Sequence, residues 1–126
     1  MFKLESRIAH ERLRRICFLD PDREIALVIE RRHRGACKIL GVGRLSKLRG
    51  ANEAEYAIII GDAWHRQGLG TRLLELLVKI SREEKVARLF AHILPGNQTM
   101  QHISRKCGFA LRYEPIAGEQ IAEMAL

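Results

Sequence analysis

The stretch WHRQGLGTRLLELL, residues 64–77, sets Gly68 and Gly70 at the head of a leucine-rich segment. Glycine opens a helix poorly unless something must come close to the backbone there. The first-turn N–H groups of a helix have no internal acceptors, and the helix dipole puts partial positive charge beside them. Two missing side chains leave those donors open, which describes an anion cradle suited to phosphate. Three such cradles compete. A nucleoside triphosphate loop needs Lys-Ser or Lys-Thr after its last glycine, but Thr71 and Arg72 follow Gly70. A dinucleotide fingerprint needs a third glycine and an acidic residue on a following strand, and neither is present. GVGRLS at 41–46 lacks the third glycine as well. The pyrophosphate of coenzyme A remains, with Arg66 and Arg72 flanking the cradle as possible phosphate partners.

A cradle needs a strand and a helix to hold it. AEYAIIIG (54–61) is the most apolar strand candidate, DAWHRQ a short loop, and residues 68–85 an amphipathic helix. Leu69, Leu73, Leu76, Leu77 and Ile80 line one side of that helix. Upstream, Leu4, Ile8, Leu13, Ile16 and Cys17 recur at loosely helical spacing, and DPDR (20–23) stops that helix. EIALVIE (24–30) and CKILGVGRLSKL (37–48) read as strands joined by a turn over 31–36. Downstream comes a strand at 86–94, then Asn97 capping a short helix that ends at Gly108-Phe109. FALRYEPI and EQIAEMAL close the chain as a strand pair around Ala117-Gly118. The expected fold is α/β, a mixed and mostly antiparallel central sheet flanked by helices, in one domain over 1–126.

Composition sets limits on function. The chain of 126 residues is 47% hydrophobic and 29% charged, as a compact soluble domain is. No apolar run approaches the ~20 residues of a membrane span, and the N-terminus lacks the apolar core of a secretory signal. Cys17, Cys37 and Cys107 are isolated and odd in number, which predicts reduced thiols in a cytoplasmic protein and no zinc site. The net charge of +7 gathers in ERLRR (11–15) and ERRHRGACK (30–38). These segments read as a solvated helix face and a solvated turn. Without interleaved aromatic residues they do not describe a single-strand nucleic-acid surface.

HRQGLG (65–70) is similar to the acyl-CoA pyrophosphate loop of the GNAT N-acetyltransferases, Gln/Arg-x-x-Gly-x-Gly/Ala. NQTMQHISRKCGF (97–109) resembles that family's following motif, an asparagine opening a helix that ends in Gly-Phe. HERLRRICFLDPDREIALVIE and EAEYAIII further resemble the acetyltransferase domain of bacterial protein lysine acetyltransferases. The likeness covers about residues 5 to 113 and is closest from 53 to 109. His65 stands where the family has Gln or Arg, and Ser104 where many members carry a tyrosine that protonates the leaving thiolate. Tyr113, Ser104 and water are all candidates for that acid. The resemblance also implies that the family's first strand and helix are missing, which would expose a sheet edge to a second copy of the chain.

The resemblance implies acetyl-CoA as cosubstrate and an amine as acceptor, preferably a protein lysine. It places Ile58, Ile59, Ile60, Arg66, Gln67, Gly68, Leu69, Gly70, Thr71 and Asn97 at the cofactor. Glu55 and Glu53 share a face at the head of the strand, and Glu55, inside the matched AEY, is the expected general base. His92 and His102 are alternatives, and Trp64 reads as packing beside the loop. A small-amine acetyltransferase, a CoA-binding module without turnover and a basic nucleic-acid-binding domain are the competing functions.

Overall fold

The computed structural model describes residues 11–17, 24–33, 35–48, 50–61 and 68–126. Among these residues seven strands and two helices follow the order β1 (Glu11–Cys17), β2 (Glu24–His33), β3 (Ala36–Lys47), β4 (Glu53–Ile60), α1 (Leu69–Glu83), β5 (Arg88–Ile93), α2 (Gln98–Lys106), β6 (Ala110–Glu114) and β7 (Glu119–Ala125). They form one sheet in the order β1-β2-β3-β4-β5-β7-β6. All neighbours are antiparallel except β4 and β5. No helix among the described residues is long and apolar enough to cross a membrane.

The helix expected over 4–17 is not what the chain forms at its described end: residues 11–17 are a strand paired antiparallel with β2. The remainder of that helix and the DPDR stop lie outside the described residues. Backbone pairing explains the outcome. From Ile25 to Glu30 every β2 residue is at most 5% exposed, so its N–H and C=O groups need partners on both sides. β3 satisfies one side and β1 the other, outweighing the loosely helical spacing of Leu13, Ile16 and Cys17. Among the described residues the outer strands of the sheet are therefore β1 and β6, and the flank of β2 is covered.

The β2–β3 turn is tighter than the expected 31–36, with both strands running to its edge around Gly35 at φ +80°. A bulge leaves Leu40 as an extra residue between the pairs Ile29↔Gly41 and Glu30↔Ile39. Leu40 is buried, and its carbonyl accepts from the Gly61 N–H at 3.0 Å, where β4 ends. The core lies between the sheet and α1, with Leu73, Leu74, Leu77 and Ile80 against Ile25, Leu27, Ile29, Leu45 and Tyr56.

Two strand glycines bring α1 and β4 close. A Cβ on Gly43 would lie 3.3 Å from Leu77 Cδ1 and 3.4 Å from Leu73 Cδ2. One on Gly41 would lie 2.5 Å from Ile60 Cδ1 and 3.1 Å from the Ile59 carbonyl oxygen. The Gly43 neighbours are side-chain methyls that can rotate, whereas the Ile59 oxygen is backbone. Gly41→Ala is therefore expected to destabilise the domain by about 1–3 kcal/mol, more than Gly43→Ala. Urea unfolding should show the Gly41→Ala midpoint falling at an unchanged slope.

Candidate functional site

The parallel pair is short. β4 and β5 match only at Glu53↔Arg88, Ala54↔Leu89 and Glu55↔Phe90. Beyond Glu55, β4 continues to Ile60 with no strand on that side among the described residues, and β5 continues to Ile93 paired to β7. Below the parting, Arg88 ties the prongs together. It pairs with Glu53 on β4 at 3.1 Å and with Glu123 on β7, which also accepts from Arg112 on β6 at 3.2 Å. The Arg88 guanidinium lies 4.8 Å from the Phe90 ring centre. Its hydrogen bond holds the Glu123 carboxyl below the usual carboxylate range.

Above the parting, a cavity of about 520 Å³ opens against three elements. Ile58, Ile59 and Ile60 come from the end of β4, and Gly68, Leu69, Gly70 and Thr71 from the start of α1. α2 contributes Asn97, Thr99, Met100, His102, Ile103 and Lys106. The volume is that of a small-molecule site. Among the described residues no acidic side chain is in the lining, and Lys106 and His102 supply polar groups.

The helix starts explain the local geometry. The first α1 hydrogen bond runs from the Arg72 N–H to the Gly68 carbonyl at 3.1 Å, so the earlier first-turn N–H groups have no acceptor within the helix. Gly68 caps α1 in the left-handed region at φ +77°, with open space where a side chain would stand. Gly70 has another reason: a Cβ there would lie 2.7 Å from Ile103 Cδ1. Its glycine lets α2 pack on α1, a packing role beyond the anion access expected from sequence. α2 begins as expected, with the Asn97 side chain accepting from the Met100 N–H at 3.1 Å. It ends with Gly108 at φ +96°, where the Gly108 and Phe109 N–H groups bond to the Arg105 and Ser104 carbonyls at 3.0 and 2.9 Å.

The cavity thus gathers Ile58, Ile59, Ile60, Gly68, Leu69, Gly70, Thr71 and Asn97 from the expected cofactor set. Arg66 and Gln67, with His65 and Trp64, lie outside the described residues. Arg72 is exposed and not in the lining. Glu55 is also absent from it: the residue is half-buried, three positions before Ile58, about 10 Å along the strand. It is the last β4 residue paired with β5, and its side chain has no hydrogen bond or ion pair among the described residues. Glu53, by contrast, is engaged by Arg88.

Of the histidines, His102 lines the cavity, whereas His92 packs edge-on to Phe90 and lies 3.7 Å from Glu119. The acid candidates fare differently from expectation. Ser104 is fully buried with its hydroxyl 2.8 Å from the Tyr56 hydroxyl, and Tyr113 is exposed on the outer strand β6. Besides the apolar Met100 and Ile103, the cavity is lined by Thr99, His102 and Lys106, which the sequence does not mark as cofactor contacts. Their spacing of three and four marks one α2 face, but nothing local says which element that face meets.

Comparison with known proteins agrees with this geometry. The acetyltransferase (GNAT) domain family matches residues 3–110. A domain from Methanocaldococcus jannaschii is similar at TM-score 0.72 and 20% identity, over 82% of this chain and 68% of that one. The GNAT domain of PAT from S. lividans is similar at TM-score 0.71 and 23% identity, over 82% of this chain and 61% of that one. A cAMP-binding acyltransferase from Mycobacterium smegmatis matches at TM-score 0.70 and 22% identity, over 85% of this chain but 32% of its own length. A sheet parted at one parallel pair, with a glycine-capped helix at the parting, belongs with the family match that spans it: the chain is a member of the GNAT acetyltransferase family.

Proposed function

We propose that the domain transfers an acetyl group from acetyl-CoA to an amine, with a protein lysine as the preferred acceptor. The observation that carries this reading is the convergence of the end of β4 and the first turn of α1 on one cavity. The pyrophosphate would sit on the amides of Gly68 to Thr71, where the helix dipole favours anions, with Lys106 on the same wall. The lysine preference rests on the resemblance of EAEYAIII to protein lysine acetyltransferases and on the likeness to the S. lividans domain.

The thioester supplies an activated acetyl group, and the chain supplies the rest. Ile58 turns its N–H toward the open side of β4, where it can stabilise a developing oxyanion. A lysine amine with a pKa of roughly 10.4 is charged at neutral pH and must lose a proton before attack. Glu55, whose side chain has no partner among the described residues, would accept that proton, directly or through water. Glu53 is not, because its carboxylate answers Arg88.

Two measurements test the reading. Thr71→Glu adds an acid in the first turn of α1, which suits the dipole and keeps the fold, but repels phosphate. Acetyl-CoA at a hundredfold excess over its dissociation constant should stabilise the parent by ~2.7 kcal/mol and leave Thr71→Glu unshifted. An equal shift in both proteins would contradict the cradle. Labelled acetyl-CoA offered with a panel of proteins and small amines, scored by mass spectrometry, then identifies the acceptor. On that acceptor Glu55→Gln should lose roughly 10²–10⁴-fold in turnover at unchanged cofactor affinity, and regain part of it as pH rises. Glu53→Gln should lose less. Full activity in Glu55→Gln would remove it as the base, and no transfer by the parent to any acceptor would favour a CoA-binding module.

A further inference from the structure

Glu55 stands on the face of the sheet turned away from the core. Ala54, Tyr56, Leu89 and Ala91 belong to the core, so Glu53, Glu55, Arg88 and Phe90 point to the opposite side. On β3, Ser46 is the partner of Glu55 and Arg44 that of Ala57, which makes Arg44 a diagonal neighbour of Glu55. On β5, Phe90 is the partner of Glu55 and Arg88 that of Glu53, which makes Arg88 the diagonal neighbour on the other flank. Diagonal positions lie about 7–8 Å apart, within the reach of an arginine. Two guanidinium groups therefore flank the Glu55 carboxylate, and neither pairs with it.

Each arginine is held elsewhere by acids. Arg44 pairs with Glu24 on β2 at 3.3 Å, and the Ser46 hydroxyl donates to the same carboxylate oxygen at 3.4 Å. Glu24 is the partner of Ser46 on its other side, so Arg44 stands diagonal to two carboxylates and answers only Glu24 of the two. Arg88 donates to Glu53 at 3.1 Å and to Glu123, with its guanidinium over the Phe90 ring. Arg112 on β6 pairs with Glu123 at 3.2 Å. His92, the diagonal neighbour of Glu55 beyond Phe90, lies 3.7 Å from Glu119. Among the described residues, the cations around Glu55 thus answer other acids.

We infer that Glu24, Glu53 and Glu123 are positioning residues that hold Arg44 and Arg88 off Glu55, leaving its carboxylate open to the acceptor's proton. This rests on the acetyl-transfer reading above, with Glu55 as the base. An arginine bonded to Glu55 would favour its charged form and occupy the oxygens that must receive the proton, which weakens it as a base. The guards work on opposite flanks: Glu24 on the β3 side, Glu53 and Glu123 on the β5 side. These pairs are partly exposed, so each contributes little to the fold, and the effect on Glu55 is that of one screened ion pair.

Carbon-13 nuclear magnetic resonance of the Glu55 carboxyl, followed through a pH titration of the free protein, tests this without an acceptor. Glu24→Gln should release Arg44 to Glu55 and lower the Glu55 midpoint by about half a pH unit, the worth of one exposed ion pair. Arg44→Gln alone should leave the midpoint in place, because that guanidinium already answers Glu24. Added to Glu24→Gln, it should restore the parent midpoint, a non-additivity that a purely structural role does not produce. Glu53→Gln with Glu123→Gln should lower the midpoint likewise, and Arg88→Gln, not Arg44→Gln, should restore it. On an acceptor, kcat of Glu24→Gln should fall about threefold with KM for acetyl-CoA held, and Arg44→Gln should recover it. A midpoint unmoved by Glu24→Gln and by the Glu53→Gln, Glu123→Gln pair overturns the inference alone, as do shifts that simply add. Full activity in Glu55→Gln overturns the base reading beneath it.

Discussion

The site depends on one constraint: β4 and β5 are hydrogen-bonded for three residue pairs and no further. A continued ladder would satisfy the backbone of residues 56–60 from both sides and leave no room for a ligand. Because the ladder stops after Glu55, the Ile58 amide on that side faces a cavity, and polar backbone at a cavity asks for a polar partner. The Arg88 pairs with Glu53 and Glu123 close the sheet just below the stop, so the parting is bounded as well as open. α2 packs across the gap, with Ile103 on Gly70 and Phe109 on Tyr56.

Charge follows the same division. The chain carries +7, and much of the basic excess lies in 11–15 and 30–38, on β1 and the β2–β3 hairpin at one end of the sheet order. The cavity lies at the other side of β4 and draws its positive character from a helix start and from Lys106. At the base of the parting, acids and arginines cancel in pairs. The local field that would meet a phosphate is therefore set by a few groups, not by net charge.

Features with a local cause were legible in the sequence. Asn97 as a cap and Gly108 as a stop need only their own backbone, and both stand where the sequence placed them. The Gly68–Gly70 signal located a helix start at a cavity, but for Gly70 the constraint was Ile103, 33 residues away and invisible to local reading. Residues 11–17 misled because their apolar spacing is ambiguous, and the deciding force was the unpaired edge of β2. The same holds for Tyr56 and Ser104, 48 positions apart: a strand tyrosine and a helix serine each read as ordinary until the fold makes them a pair.

The account's central claim is that the free end of β4 and the first turn of α1 form one binding site. Titrating isotope-labelled protein with acetyl-CoA while following each amide by nuclear magnetic resonance tests it most directly. The account predicts that the largest shifts fall together, at one saturating concentration, on the amides of Ile58 to Ile60 and of Leu69 to Thr71. Shifts confined to the basic hairpin at 30–38, with those amides unmoved, would contradict it.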